Sequence, residues 1–199
     1  YLAPQRLPDH YDALLFVNRT TAAKPNPSGR RGPSKIPAAP GPVNFDFEEG
    51  QPGEVPKGWS MTTPGFEARV ETEGSKSGLR HVLLRRESEQ KEGFGILMQS
   101  LEAQAYRGKR IRLSGWLRAD GGAKAMAWLR VDRSEGRGFF DNMWERPVMA
   151  PEWQPFAIEG VVDDNATSLN LGLLLTGDGG MRADGFKLEI VEPASGKKP

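Results

Sequence analysis

The chain has 199 residues, balances 27 Lys and Arg against 26 Asp and Glu for a net charge of +1, and contains no cysteine. Disulfides, thiolate catalysis and cysteine zinc sites are thereby excluded. The basic residues are dispersed apart from Arg30-Arg31 and Arg85-Arg86, so no footprint for nucleic acid stands out, and no apolar run approaches the ~20 residues of a membrane-spanning helix, so no membrane insertion is expected.

In chain order, residues 1–20 form a segment too short to bury a core of its own, which reads as the tail of an upstream domain. Residues 21–42 carry Pro25, Pro27, Pro33, Pro37, Pro40 and Pro42. Proline withholds the amide that a helix or inner strand needs, so this stretch reads as an extended linker. Residues 43–193 are enough for one independent core, and residues 194–199 are expected to be a disordered tail.

Within 43–193 apolar residues recur with period two in short segments, and nowhere hold a helical period for three turns. Strands are predicted at 43–48, 66–72, 79–86, 94–101, 109–119, 123–132, 139–143, 153–162, 168–176 and 180–191. Their spacing, with no intervening helix, predicts an all-β, antiparallel two-sheet β-sandwich or jelly roll. The turns Asp120-Gly121-Gly122 and Gly177-Asp178-Gly179-Gly180 predict antiparallel hairpins.

The alternation assigns faces. Ile111, Leu113 and Leu117 share one side and Arg112, Ser114, Trp116 and Arg118 the other; Ala125, Ala127, Leu129 and Val131 alternate with Met126, Trp128, Arg130 and Asp132. Paired across the Asp120-Gly121-Gly122 turn, the two strands would bring Trp116 and Trp128 to one non-core face. With Arg130 and Asp132, such a face suits a polyol, the ring covering sugar C–H groups and the charges bonding hydroxyls. The competing reading is that these tryptophans cover the sheet beneath a loop or belong to the core through a bulge.

A second cluster lies at 139–146, where Phe140, Asp141, Asn142, Trp144 and Arg146 follow one another closely. It reads either as a rim pocket that binds hydroxyls beside an aromatic ring, or as a loop anchor in which Phe140 and Met143 plug the core while Asp141 and Asn142 satisfy turn amides. No catalytic constellation accompanies it. The histidines are His10 and His81, the latter read as a surface residue; Glu87 with Glu89 and Asp163 with Asp164 read as solvated pairs; and Gly93-Phe94-Gly95 is not a phosphate loop.

Two resemblances add to this. The segment Tyr11-Asp12-Ala13-Leu14-Leu15-Phe16-Val17 followed by Arg19-Thr20-Thr21 resembles the closing strand of the erythromycin esterase family, which implies an upstream hydrolase domain whose catalytic positions lie before this chain's first residue. Asn44, Phe47, Glu48, Gly50, Gly58 and Trp59, with the later segments YRGKRIRLSGWLRA, FDNMWERP and MRADGFKLEIV, resemble the galactose-binding-like jelly rolls that include many carbohydrate-binding modules. That resemblance implies a structural calcium held by Asp46 or Glu48, carbonyls of residues 74–78, and Asp184, although Ala183 stands where an acid is common. Together they imply a non-catalytic accessory module that docks on an upstream catalytic domain of the same chain, or alternatively one that delivers that hydrolase to a carbohydrate. The sequence gives no compartment; modules of this kind on secreted bacterial hydrolases would place it outside the cytoplasm.

Overall fold

The computed structural model describes residues 36–87 and 93–191. The expected esterase-like strand, most of the expected linker and the tail at 194–199 lie outside the described residues. The compact unit begins at Ile36, so the end of the stretch expected as linker belongs to the sandwich. Ala39 bridges Leu101 in parallel, its amide donating to the Ser100 carbonyl at 2.8 Å.

Ten strands follow: β1 (Ser60–Met61), β2 (Phe66–Glu71), β3 (His81–Arg86), β4 (Gly95–Glu102), β5 (Arg110–Asp120), β6 (Lys124–Arg133), β7 (Arg137–Asp141), β8 (Gln154–Val161), β9 (Ala166–Thr176) and β10 (Gly180–Ile190), with a 3-10 turn at Gln104–Tyr106. Sheet A has the order β1-β4-β9-β6-β7 and sheet B the order β2-β3-β10-β5-β8. All strand pairings are antiparallel. The core is the period-two pattern made physical. On β5, Ile111, Leu113 and Leu117 turn inward; on β9, Leu169, Leu171, Leu173 and Leu175 do; on β6, Ala125, Ala127, Leu129 and Val131 do, all fully buried. The registers Ala125↔Leu175 and Ala127↔Leu173 set small residues beside large ones, letting side chains of the two layers interdigitate. Each buried leucine contributes roughly 1.5–3 kcal/mol.

The expected hairpins at the glycine turns are not hairpins. β5 and β10 lie in sheet B, whereas β6 and β9 lie in sheet A, so residues 120–124 and 176–180 are corners that carry the chain from one sheet to the other. Both corners need positive φ, at Gly121 (63°), Gly122 (87°), Gly177 (81°) and Gly179 (96°). They also pack on each other: a Cβ on Gly121 would stand 2.9 Å from the Gly179 Cα. Trp116 and Trp128 therefore sit on the outer faces of opposite sheets and share no surface.

Residues 43–48 are not a strand. Asn44 (φ 51°) and Phe47 (φ 58°) are left-handed, and the Asn44 amide stitches the loop together, donating to the Glu49 carbonyl (2.7 Å) and the Lys57 carbonyl (3.1 Å) and accepting from the Glu49 amide (2.8 Å). The Phe-x-Phe spacing serves a plug instead. Phe45, Phe47 and Trp59 surround Phe186 of β10 with ring centroids 6.3, 5.5 and 5.9 Å from it, and the Phe186 amide donates to the Phe45 carbonyl. The residues behind the jelly-roll resemblance thus close part of the core.

Candidate functional site

The outer face of sheet A brings together most of the residues the sequence singled out. Register places Ser100, Asn170, Arg130 and Phe140 side by side across β4, β9, β6 and β7. The neighbouring row holds Met98, Gly172 and Trp128, and on the other side Ser168 faces Asp132. Asp132 organises the polar part: its carboxylate pairs with Arg130 Nε at 2.8 Å and accepts from Arg130 Nη2 at 2.9 Å and from Asn170 Nδ2 at 2.8 Å. Asn170 Nδ2 also donates to Ser168 Oγ at 3.2 Å.

Although these side chains face away from the core, the central ones lie below the surface: Asn170 is 1 % exposed, Ser100 5 % and Trp128 7 %. Asn170 Oδ1 is buried without a hydrogen-bond partner, an acceptor whose desolvation is uncompensated within the protein. Trp128 lies beside Gly172 and anchors its Nε1–H on the Leu173 carbonyl at 3.3 Å. Gly172 is required there, since a Cβ would press on the Leu97 carbonyl and stand 2.8 Å from the Met98 Cα of β4. Phe140, by contrast, is 42 % exposed. The face therefore combines a recessed amide and tryptophan, an ion pair with fixed orientation, and a partly open aromatic ring at one edge.

The 139–146 segment is chiefly an anchor. Asp141 accepts from the Met143 amide (2.8 Å) and from both terminal nitrogens of Arg146 (3.1 and 2.6 Å), and Asn142 Oδ1 accepts from the Trp144 amide (3.2 Å). Burial pushes the Asp141 carboxyl upward, but the Arg146 and Met143 bonds outweigh it and hold it below its ordinary value. Met143 is buried with φ 54° and receives the Ala127 amide on its sulfur. Phe140 does not plug the core; Phe139 does, filling the space that a Cβ on Gly160 would need. Trp144 projects beside this turn, 58 % exposed.

On sheet B, Trp116 carries Lys76 Nζ over its ring at 4.1 Å. The acids expected to hold calcium instead hold a loop. Asp184 accepts from the amides of Lys76 (2.7 Å) and Ser77 (2.8 Å) and from Ser77 Oγ (3.2 Å), while Glu48 Oε1 accepts from the amides of Leu79 (2.9 Å) and Arg80 (3.1 Å). Asp46 Oδ1 faces the Glu48 amide at 3.4 Å. The oxygens of Asp184 and Glu48 Oε1 are occupied by N–H and O–H donors where a calcium cage would turn them toward the cation, so these acids serve the loop in this arrangement.

His81 is not a surface residue: it is fully buried on the outer side of sheet B, edge-on to Trp153 with centroids 5.8 Å apart and 3.5 Å from Glu71. Burial lowers its pKa, more strongly than Glu71 raises it. Asn170 and Ser100 escaped the sequence reading; the signal available was an asparagine within the leucine-rich run of β9, where burial on both sides of a central strand makes an amide costly without a use.

No family model matches the sequence. The chain is 32 % identical over 143 residues to YbfP of Bacillus subtilis (strain 168), described as an uncharacterised HTH-type transcriptional regulator, the match covering 68 % of this chain and 48 % of that protein. The chain thus spans about half the length of the curated relative it matches. Among solved structures, the CBM22-1 xylan-binding domain of Paenibacillus barcinonensis Xyn10C superposes with TM-score 0.53 at 19 % identity, covering 75 % of this chain and 94 % of that one. The C-terminal family 22 carbohydrate-binding module of Clostridium thermocellum Xyn10B gives 0.55 at 16 %, covering 73 % and 90 %. A cyclase from Fischerella sp. TAU gives 0.56 at 14 %, covering 79 % and 98 %. At such identities the likeness is one of fold, and one fold here serves both a sugar-binding domain and an enzyme. The described unit is an antiparallel two-sheet jelly roll, the architecture it shares with family 22 carbohydrate-binding modules.

Proposed function

We propose that the sandwich is a non-catalytic carbohydrate-binding module whose ligand lies across the outer face of sheet A. The observation that carries this reading is the buried, unpartnered Asn170 Oδ1 set in a row with Ser100, Arg130 and Phe140 and beside the Asp132 ion pair. A sugar hydroxyl both donates and accepts, so it can accept from Arg130 and donate to Asp132 at the surface and reach the recessed amide oxygen on a small opening of the face, and an aromatic ring at the edge covers its C–H face. The fold shared with xylan-binding domains supports the same reading by analogy. Docking on an esterase-like domain draws its support from a segment outside the described residues.

A second reading is favoured by the relative in Bacillus subtilis: the sandwich as the effector-binding part of a regulator. A helix-turn-helix needs two helices, and the described residues contain no α-helix, so on this reading the sandwich supplies ligand recognition and the DNA-binding unit lies elsewhere. Both readings use the same face.

The test is isothermal titration of the protein with xylo-, cello- and manno-oligosaccharides, comparing wild type with Arg130→Ala and Asn170→Ala. Saturable binding weakened about tenfold or more by either substitution supports the proposal. Absence of binding to any of the sugars by the folded protein, or binding unchanged in both variants, overturns it.

A further inference from the structure

The opposite sheet carries an open pocket of about 420 Å³ whose walls include Val70, Glu71 and Thr72 of the β2 end, Glu73, Arg118 of β5 and Arg182 of β10. Its charges are unequally satisfied. Glu71 receives Arg69 Nη2 at 2.8 Å and Arg182 Nε at 3.1 Å, and Arg182 also reaches Asp120 at 2.5 Å. Arg182 is thus neutralised by two carboxylates before any ligand arrives. Among the described residues Arg118 has no hydrogen bond or ion pair; its Nε is buried and unpartnered, and its guanidinium carbon lies over Trp153, 4.8 Å from the ring centroid.

Trp153 is itself fixed, its Nε1–H donating to the Gly74 carbonyl at 3.1 Å and its edge set against the buried His81. A guanidinium is a planar fork of donors, and a cation–π contact with an anchored ring restrains where that fork sits, a preorganisation that favours bidentate capture of a carboxylate. Burial disfavours the charge on His81, so the imidazole adds no cation of its own beside Arg118. Burial and the neighbouring Arg182 both work against the charge on Arg118, with Asp120 and Glu71 opposing them only in part. An arriving anion would complete the missing half of the pair.

We infer that this pocket is a second binding site, separate from the face of sheet A, for a small carboxylate held by Arg118. Glu73, exposed at the rim and without an ion pair among the described residues, is a like charge to that ligand and tunes its affinity downward. The carboxylate belongs either to a sugar acid or to a free organic acid.

The experiment is calorimetric titration of the protein with D-glucuronate, with D-glucose as the same ring lacking the carboxylate, and with malate as an acyclic carboxylate, at low and moderate salt. Expected are binding of at least one carboxylate, no binding of glucose in this pocket, and a loss of about tenfold or more in Arg118→Gln. Glucuronate alone identifies a sugar acid; malate binding equally well identifies a free organic acid. Glu73→Gln, a surface change that leaves the sheet intact, is expected to tighten binding a few-fold and guards against misfolding of Arg118→Gln. Arg130→Ala on sheet A is expected to leave carboxylate affinity unchanged, which separates this site from the proposed glycan face. No carboxylate binding, glucose binding equal to glucuronate and sensitive to Arg118→Gln, or affinity unmoved by both Arg118→Gln and Glu73→Gln overturns the inference.

Discussion

Replacing Asp184 by alanine tests whether the carboxylates near the ends of the sandwich hold a loop or a metal. Asp184 is fully buried and accepts two backbone amides, from Lys76 and Ser77, plus the Ser77 hydroxyl. Hydrogen bonds to a charged acceptor contribute roughly 1.5–3 kcal/mol each, so the two amide bonds alone amount to about 3–6 kcal/mol. Burial of the carboxylate opposes them and is the larger influence on its pKa, which lies above the ordinary 3.8. Removing the carboxylate leaves the Lys76 and Ser77 amides without their acceptor, at roughly 1–3 kcal/mol each, and relief of the buried charge offsets part of this, so Asp184→Ala is expected to lose about 2 kcal/mol. In a domain of this size that lowers the melting temperature by roughly 4–8 °C. Urea unfolding followed by circular dichroism is expected to show a lower midpoint at unchanged slope. Because the folded carboxyl binds its proton more tightly than the unfolded one, wild type gains stability as pH falls from the folded pKa toward 3.8. The variant lacks that gain, so the gap between the two widens on acidification. EDTA and calcium are expected to leave the wild-type midpoint where it is. A loss below about 0.5 kcal/mol in the variant, or a calcium-dependent stabilisation that EDTA reverses, would refute the reasoning.

Further outcomes follow from other contacts. Gly172→Ala, whose Cβ has backbone rather than flexible side chain in its way, is expected to destabilise the protein by about 2–3 kcal/mol in the same urea assay; a neutral change would mean that β4 and β9 can separate freely. Trp116→Ala is expected to leave any oligosaccharide affinity unchanged, because Trp116 and Trp128 lie on opposite sheets; weakened binding by calorimetry would place the ligand on sheet B. His81 has its folded pKa below 6.5, so the unfolded state binds the extra proton and stability is expected to fall as pH drops from 6.5 toward the folded value. His81→Phe should flatten that part of a melting-temperature profile, and an unaltered profile would argue against a buried neutral imidazole.

The fold was legible because its strands obey a two-residue period that owes nothing to connectivity. The predicted segments 109–119 and 123–132 match β5 and β6 to within a residue, and the inward set Ile111, Leu113 and Leu117 is the buried one. What the period does not carry is which sheet a strand joins. A glycine turn with positive φ serves a hairpin or a corner equally well, and reading Asp120-Gly121-Gly122 as a hairpin put Trp116 beside Trp128. The same limit explains residues 43–48, where Phe-x-Phe alternation marks two side chains entering one core from a left-handed loop. Of the site, Arg130 and Asp132 were readable as outward polar residues of a strand, and their ion pair is present. Burial of His81 was not readable, since Trp153, the ring against it, arrives from a distant part of the chain. The amide-filled Asp184 likewise looks in sequence like any acid before a last strand.

Within the described residues the chain changes sheet at nearly every step: among the ten strands only β2 with β3 and β6 with β7 are successive strands that pair. All other neighbours are brought together from far apart in sequence, as when β3 meets β10 or β4 meets β9. Loop-closure entropy is therefore spent before most of the stabilising contacts exist, which sets a high barrier and a slow, all-or-none folding step. No contiguous segment of the described sandwich contains either sheet, so the sandwich has no half that can persist alone. Its two faces, whatever each one holds, appear and vanish together.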